Sequence, residues 1–160
     1  MSSAKPPTDS SNHSAVVPGT DRVLLVDDEE EFVIALSKRL RARQLEVSTA
    51  ANGESALAAV RTHKYDAIVL DLAMPGIDGL QTLKRIRELD NEVQVILLTG
   101  HGTVQSGTEA MHLGAMDFLE KPADFEDLLA RIRAAVAKKL RLVDQHTEEQ
   151  VAAILRKKGW

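Results

Sequence analysis

The sequence predicts a doubly wound α/β fold: a five-stranded parallel sheet with helices on both faces. Three observations carry this. Short branched runs such as Ala67-Ile68-Val69-Leu70 are apolar at every position, as strands buried on both faces are. Segments with apolar residues at helical spacing alternate with these runs along the chain, which is the pattern of repeated βαβ units. Polar or chain-breaking residues stand at the carboxyl end of each run, where open α/β sheets place their chemistry.

The elements follow in order. Residues 1–20 are rich in Ser, Pro, Thr and Asn and cannot bury enough surface to offset their ordering entropy, so a flexible tail is expected. Arg22–Val26 reads as the first strand. Asp27-Asp28-Glu29-Glu30-Glu31 follows, and Phe32, Val33, Leu36 and Leu40 then mark a helix to about Arg43. The acids stand at its positive end. Leu45–Thr49 alternates as a second strand, and Asn52 caps a second helix. Residues 66–70 form the third strand. Asp78, with Gln81 three positions on, caps a third helix whose stripe is Leu80, Leu83 and Ile86. Val93–Leu98 is the fourth strand, broken at Thr99-Gly100-His101-Gly102. A weaker helix from about Thr103 to Leu113 is interrupted by Gly107. Met116–Leu119 is a short fifth strand before Glu120-Lys121-Pro122. Phe125, Leu128, Leu129, Ile132, Val136 and Leu140 mark the last helix of the domain.

This predicts one domain at 21–142. A chain of this size with five strands suits the flavodoxin-like order 2-1-3-4-5, which makes strands 1 and 3 neighbours. Residues 143–160 are left as a C-terminal extension. Thr147-Glu148-Glu149-Gln150 has the form of a capping box, Val151, Ile154 and Leu155 form a stripe behind it, and Gly159 stands at a C-cap position. A separate short helix is expected there.

Composition excludes several functions. There is no cysteine among 160 residues, so disulfides, thiolate metal sites and Cys nucleophiles are out. Net charge is -4 and aromatics are 3%, which argues against an electrostatic grip on nucleic acid and against a base-stacking surface. No run approaches membrane-spanning length and the N-terminus has no apolar signal region, so a cytoplasmic protein is expected.

The predicted order gathers Asp27 and Asp28 (strand 1), Asp71 (strand 3), Thr99 (strand 4) and Lys121 (strand 5) on one edge. Carboxylates crowded in one cleft repel, and a bound cation relieves them. Mg²⁺ suits such an all-oxygen donor set, and a carboxylate beside it can attack phosphorus. Lys121 and Thr99 could then stabilise the peripheral oxygens of a phosphoryl group. Each residue alone has a plain structural reading: Asp27, Asp28 and Glu29 as acids at a helix N-terminus, Asp71 and Thr99 as loop residues, Lys121 as a solvated lysine. All of them falling at strand ends of one alternating pattern is what favours chemistry.

The segments VLLVDDEE, VLDLAMPGIDGL, ILLTGHG and DFLEKP, in this order and at these spacings, resemble the receiver domain of bacterial two-component response regulators over about residues 20–142. The resemblance implies a stand-alone receiver with Asp71 as phosphoacceptor from a sensor histidine kinase or phosphotransfer protein. It implies Mg²⁺ held by Asp28, Asp71 and the Ala73 backbone carbonyl, with Asp27 helping largely through water. Lys121 would contact the phosphoryl oxygens, Thr99 would be the switch hydroxyl and Phe118 the aromatic switch, and Lys121–Pro122 would be cis. Self-phosphorylation and autodephosphorylation would be its only catalysis, and its output would be a protein contact rather than DNA binding. That contact, or a dimer, would use the face of helix 4, strand 5 and helix 5, or the C-terminal helix. Ala73 offers no polar side chain to position an attacking water, so a long-lived acyl phosphate is expected. His101 reads as a loop histidine.

Three other classes fit less well. An aspartyl-phosphate hydrolase would show Asp-x-Asp after strand 1 and a cap domain. A phosphorylation-independent interaction module would be favoured by loss of Asp71, Lys121 or the acidic pair. A flavin-binding domain would carry a phosphate-cradling loop where the acids stand.

Overall fold

The computed structural model describes residues 21–74, 78–100 and 104–159. The expectations placed on residues 1–20, on the Pro75-Gly76 turn and on His101, Gly102 and Thr103 fall outside them. The described elements alternate as β1 (Arg22–Val26), α1 (Glu30–Ala42), β2 (Glu46–Ala50), α2 (Gly53–Thr62), β3 (Ala67–Leu70), α3 (Gly79–Leu89), β4 (Gln94–Thr99), α4 (Val104–His112), β5 (Asp117–Glu120) and α5 (Phe125–Lys157). The strands form one parallel sheet in the order β2-β1-β3-β4-β5, as the alternation requires.

Each central strand splits its side chains between two cores. Leu25, Val69, Ile96 and Leu98 face Leu36, Leu40, Leu129 and Ile132 of α1 and α5. Leu24, Ile68, Leu70, Val95 and Leu97 face Leu57, Leu83, Ile86 and Ala110 of α2, α3 and α4. Because β3 and β4 are buried on both faces, their sequences show no alternation. Each fully buried Leu or Ile stabilises the fold by about 1.5–3 kcal/mol.

The caps are where the sequence puts them. Asn52 Oδ1 accepts from Ser55 N at 2.8 Å, and Ser55 Oγ in return accepts from Asn52 N. Asp78 Oδ1 accepts from Gln81 N at 2.8 Å. Gly107 does not interrupt α4, which runs through it. The second strand lies one residue later than expected, after Gln44 takes a left-handed turn at φ 69°.

The C-terminal extension differs more. Among the described residues no separate short helix follows Leu140; α5 is one helix of 33 residues. Nothing between Leu140 and Thr147 breaks a helix, since neither Gly nor Pro occurs there. Thr147 is no cap: its hydroxyl donates to the Val143 carbonyl one turn back at 2.9 Å. Towards its C-terminal half the helix is held to the body by the Lys139–Asp66 ion pair at 2.9 Å and a contact of His146 Nδ1 with the Glu92 carboxylate at 3.1 Å. Leu140, expected in the buried stripe, is 52% exposed, because the sheet under the helix ends before it. Gly159 has φ 72° at the helix end, the conformation expected of a C-cap glycine.

Candidate functional site

The site is built on the carboxyl edge of β1, β3, β4 and β5. Parallel pairing sets Val26 beside Leu70, so the next residues, Asp27 and Asp71, emerge together. Backbone bonds tie them in: Asp27 N donates to the Ala50 carbonyl and Asp71 N to the Val26 carbonyl. On the other side Thr99 pairs with Glu120, and Lys121 N donates to the Thr99 carbonyl at 3.0 Å. The Lys121–Pro122 peptide is cis.

Asp27 is buried and uses both oxygens. Oδ1 accepts from Glu29 N at 2.9 Å and Oδ2 from Lys121 Nζ at 2.6 Å. It is thus a turn-forming residue and a charge partner at once. Asp71 is 3% exposed. Its Oδ1 accepts from Ala73 N at 3.2 Å, while Oδ2 lies 3.9 Å from Lys121 Nζ, beyond hydrogen-bond reach. Asp28 is exposed at the rim. One carboxylate oxygen from each of Asp27, Asp28 and Asp71 comes within 4.8 Å of the others.

Lys121 is the cation of this cluster. Its side chain is 13% exposed, with Glu29 3.6 Å away besides the two aspartates. Burial pulls the ammonium's pKa down, but the hydrogen bond to Asp27 and the charges of Asp27, Asp71 and Glu29 outweigh it and hold the group above the usual lysine value. Among the described residues, Asp27, Glu29 and Asp71 face this ammonium and Asp28 stands beside Asp27 and Asp71, so negative charge is left in excess. The oxygen donors and the surplus negative charge fit a hard divalent cation such as Mg²⁺.

Thr99 is fully buried at the end of β4. Phe118 on β5 is half-buried against the core shared with α4. Its ring lies over Gly107, where an added Cβ would sit 3.5 Å from it. The structure therefore gathers Asp27, Asp28, Asp71, Ala73, Thr99 and Lys121 at one edge, with Phe118 one layer away.

Three participants went unread in the sequence. Glu29 approaches Lys121 although it looked like one of several helix-start acids. Gly79 packs against the loop that carries Asp71: a Cβ there would meet Leu72 Cα at 2.4 Å, and Gly79 N donates to the Leu72 carbonyl. The signal was a glycine at the first position of α3, where other residues favour the helix more. Phe32 places its ring 4.2 Å from Lys121 Nζ although its spacing fits an ordinary core position.

Comparisons with known proteins agree on a family. A family model described as the response regulator receiver domain matches residues 23–133. The transcriptional regulatory protein PrrA of Mycobacterium tuberculosis is 36% identical over 118 residues, which is 74% of this chain and 51% of PrrA. The chain thus spans about half the length of this curated relative. A response regulator receiver domain from Clostridium thermocellum superposes with a TM-score of 0.72 at 30% identity, covering 76% of this chain and 98% of that one. A CheY-like receiver domain from Methanospirillum hungatei, at 23% identity, shares the fold with a TM-score of 0.74 over 76% of this chain and 98% of its own.

Proposed function

The chain belongs to the response regulator receiver family of two-component signalling, and on that premise we propose that Asp71 accepts a phosphoryl group from a phosphohistidine on a sensor kinase or phosphotransfer protein. The observation that carries this is the pair of unequal oxygens on Asp71. Oδ1 is tied down by Ala73 N, and Oδ2 faces Lys121 without bonding to it. An oxygen that is held in place but not consumed by a hydrogen bond is suited to attack phosphorus.

In this reading Asp71 Oδ2 forms the new P–O bond as the P–N bond to imidazole breaks, and the electron pair returns to the imidazole nitrogen. Asp28, Asp71 and the Ala73 carbonyl would hold Mg²⁺, with Asp27 assisting through water. When bound, the ion offsets charge on the carboxylates and the phosphoryl oxygens. Lys121 exchanges part of its contact with Asp27 for a phosphoryl oxygen, a short shift of an ammonium already beside Asp71. The Thr99 hydroxyl donates to another oxygen.

The new charge is read by differential contact. Phosphorylation adds strong acceptors beside Thr99 and Lys121, and these contacts favour the arrangement in which Thr99 meets the phosphoryl group. As Thr99 moves, Phe118 turns inwards beside Gly107, and the face of α4, β5 and α5 changes for a protein partner. Residues 21–142 make up the receiver and 143–160 a C-terminal extension, of which 143–157 continue α5. The setting is cytoplasmic; among the described residues no helix is long and apolar enough to cross a membrane.

Incubation with Mg²⁺ and acetyl phosphate tests the reading. Intact mass is expected to show a phosphoryl adduct on the wild type and none on Asp71→Asn. An adduct that survives in Asp71→Asn, or none on either protein, would sink it.

A further inference from the structure

The Lys121 ammonium is surrounded unevenly. Asp27 Oδ2 at 2.6 Å, Glu29 at 3.6 Å and Asp71 at 3.9 Å supply its negative neighbours. The face of the Phe32 ring lies 4.2 Å away. Phe32 stands in the first turn of α1, half-buried, and packs on the core between α1 and α5 beside Leu98 and Phe125. Its position is therefore fixed by the core between α1 and α5, although Glu29 is the N-cap residue of α1 itself.

We infer that Phe32 is a positioning residue for Lys121: its ring holds the ammonium over Asp71 while the ammonium changes partners. This rests on the reading of Asp71 as phosphoacceptor. The physical need comes from the hydrogen-bond geometry. Lys121 starts on Asp27 and must reach an oxygen on Asp71. A carboxylate would hold it at one point. An aromatic face attracts a cation through its quadrupole over the whole ring area, so the attraction persists as the ammonium shifts. The ring also keeps water from that side, which strengthens the remaining contacts. An aliphatic side chain of similar size would fill the space without attracting the charge. The ammonium would then be drawn to Glu29, whose side chain is 58% exposed, in competition with Asp71.

The test compares wild type with Phe32→Leu and Phe32→Tyr by NMR and by titration. In wild type without ligand, the Lys121 side-chain protons are expected upfield of ordinary lysine positions through the ring current. That shift is expected to vanish in Phe32→Leu and persist in Phe32→Tyr. With Mg²⁺ present, the beryllofluoride concentration that half-converts the protein is expected to rise about 3- to 10-fold in Phe32→Leu and to stay within about twofold in Phe32→Tyr. Mg²⁺ affinity without beryllofluoride is expected to be unweakened, because the Phe32 ring, although it lines the same small cavity as Asp27 and Asp71, supplies no oxygen ligand to the ion. An unshifted lysine in wild type overturns the inference. So do equal beryllofluoride midpoints for Phe32→Leu and wild type, or a parallel loss of Mg²⁺ affinity that marks general damage to the site. A wild type that gains no adduct overturns the phosphoacceptor reading and this inference with it, whereas equal adducts in wild type and Phe32→Leu remove the role of Phe32 alone.

Discussion

The two ends of the sheet carry similar charged groups and use them differently. At the amino edge, Asp66 precedes β3 and is fully engaged: Oδ2 accepts from Arg22 N at 2.7 Å and Oδ1 from Lys139 Nζ at 2.9 Å. One carboxylate meets one ammonium and one amide, and the result clamps α5 to β1 and β3. At the carboxyl edge, among the described residues, Asp27, Glu29 and Asp71 crowd around Lys121, with Asp28 beside the two aspartates. Balanced charge there would give another clamp. The imbalance gives a site that gains stability from added positive charge and responds when negative charge is added. What separates these two ion pairs is the local sum of charges, not burial: Lys139 and Lys121 have side chains 16% and 13% exposed.

The sharpest way to break that comparison is to unbalance the clamp. Asp66→Asn leaves Lys139 without its counter-charge and weakens the acceptor for Arg22 N. A loss of about 1–3 kcal/mol is expected in urea unfolding. Adduct formation at Asp71 should stay within about twofold, since the two edges lie at opposite ends of β3. A variant that folds as stably as wild type, or that loses adduct formation, would show that the edges are not separate in role.

The same substitution at the carboxyl edge should have the opposite sign. Asp28→Asn removes one of the carboxylates that meet within 4.8 Å. Relief of repulsion at the rim is worth at most about 1 kcal/mol, so the metal-free variant should melt slightly above wild type. Mg²⁺ at millimolar concentration should raise the wild-type melting temperature and raise that of Asp28→Asn much less, because stabilisation by a ligand tracks its affinity for the folded state. A variant that melts lower without metal would mean that Asp28 is structural rather than held in reserve for a cation.

Much of this difference is legible in the order of residues along the chain. Buried strands such as β3 announce themselves because both faces are apolar, and acids at successive strand ends announce the site because topology turns distant positions into neighbours. Other features depend on packing that periodicity does not encode. Phe32 fits a core stripe whether or not a lysine lies over its ring. Asp66 and Lys139 are 73 residues apart, and no local pattern joins them. The continuity of α5 is hidden by Thr147, whose hydroxyl serves equally as a cap or as a bond to the preceding turn. Leu140 continues the spacing of Ile132 and Val136, but spacing does not record where the sheet beneath the helix ends.

The amino edge has one imperfection, and it gives the smallest effect. Asp21 lies close to Asp66, and its pKa is raised, first by burial and then by the charge of Asp66, against the attraction of Arg133. A group whose folded-state pKa exceeds its unfolded value adds stability below the unfolded value, and that contribution is lost as pH rises through the folded value. At neutral pH the ionised Asp21 therefore opposes the fold. Asp21→Asn should stabilise the protein by a few tenths of a kcal/mol at pH 7, or roughly 1 °C in melting temperature, an amount kept small by solvent screening. The gain should fade as pH falls through the carboxylate range, where wild-type Asp21 is itself neutral in both states. The backbone carbonyl of Asp21, which accepts from Glu46 N at 2.9 Å, is unchanged by the substitution. Thermal melts of both proteins at pH 7 and pH 3 decide the matter. A variant less stable at pH 7 would mean that Arg133 outweighs burial and Asp66, and that the amino edge is balanced at Asp21 as well as at Asp66.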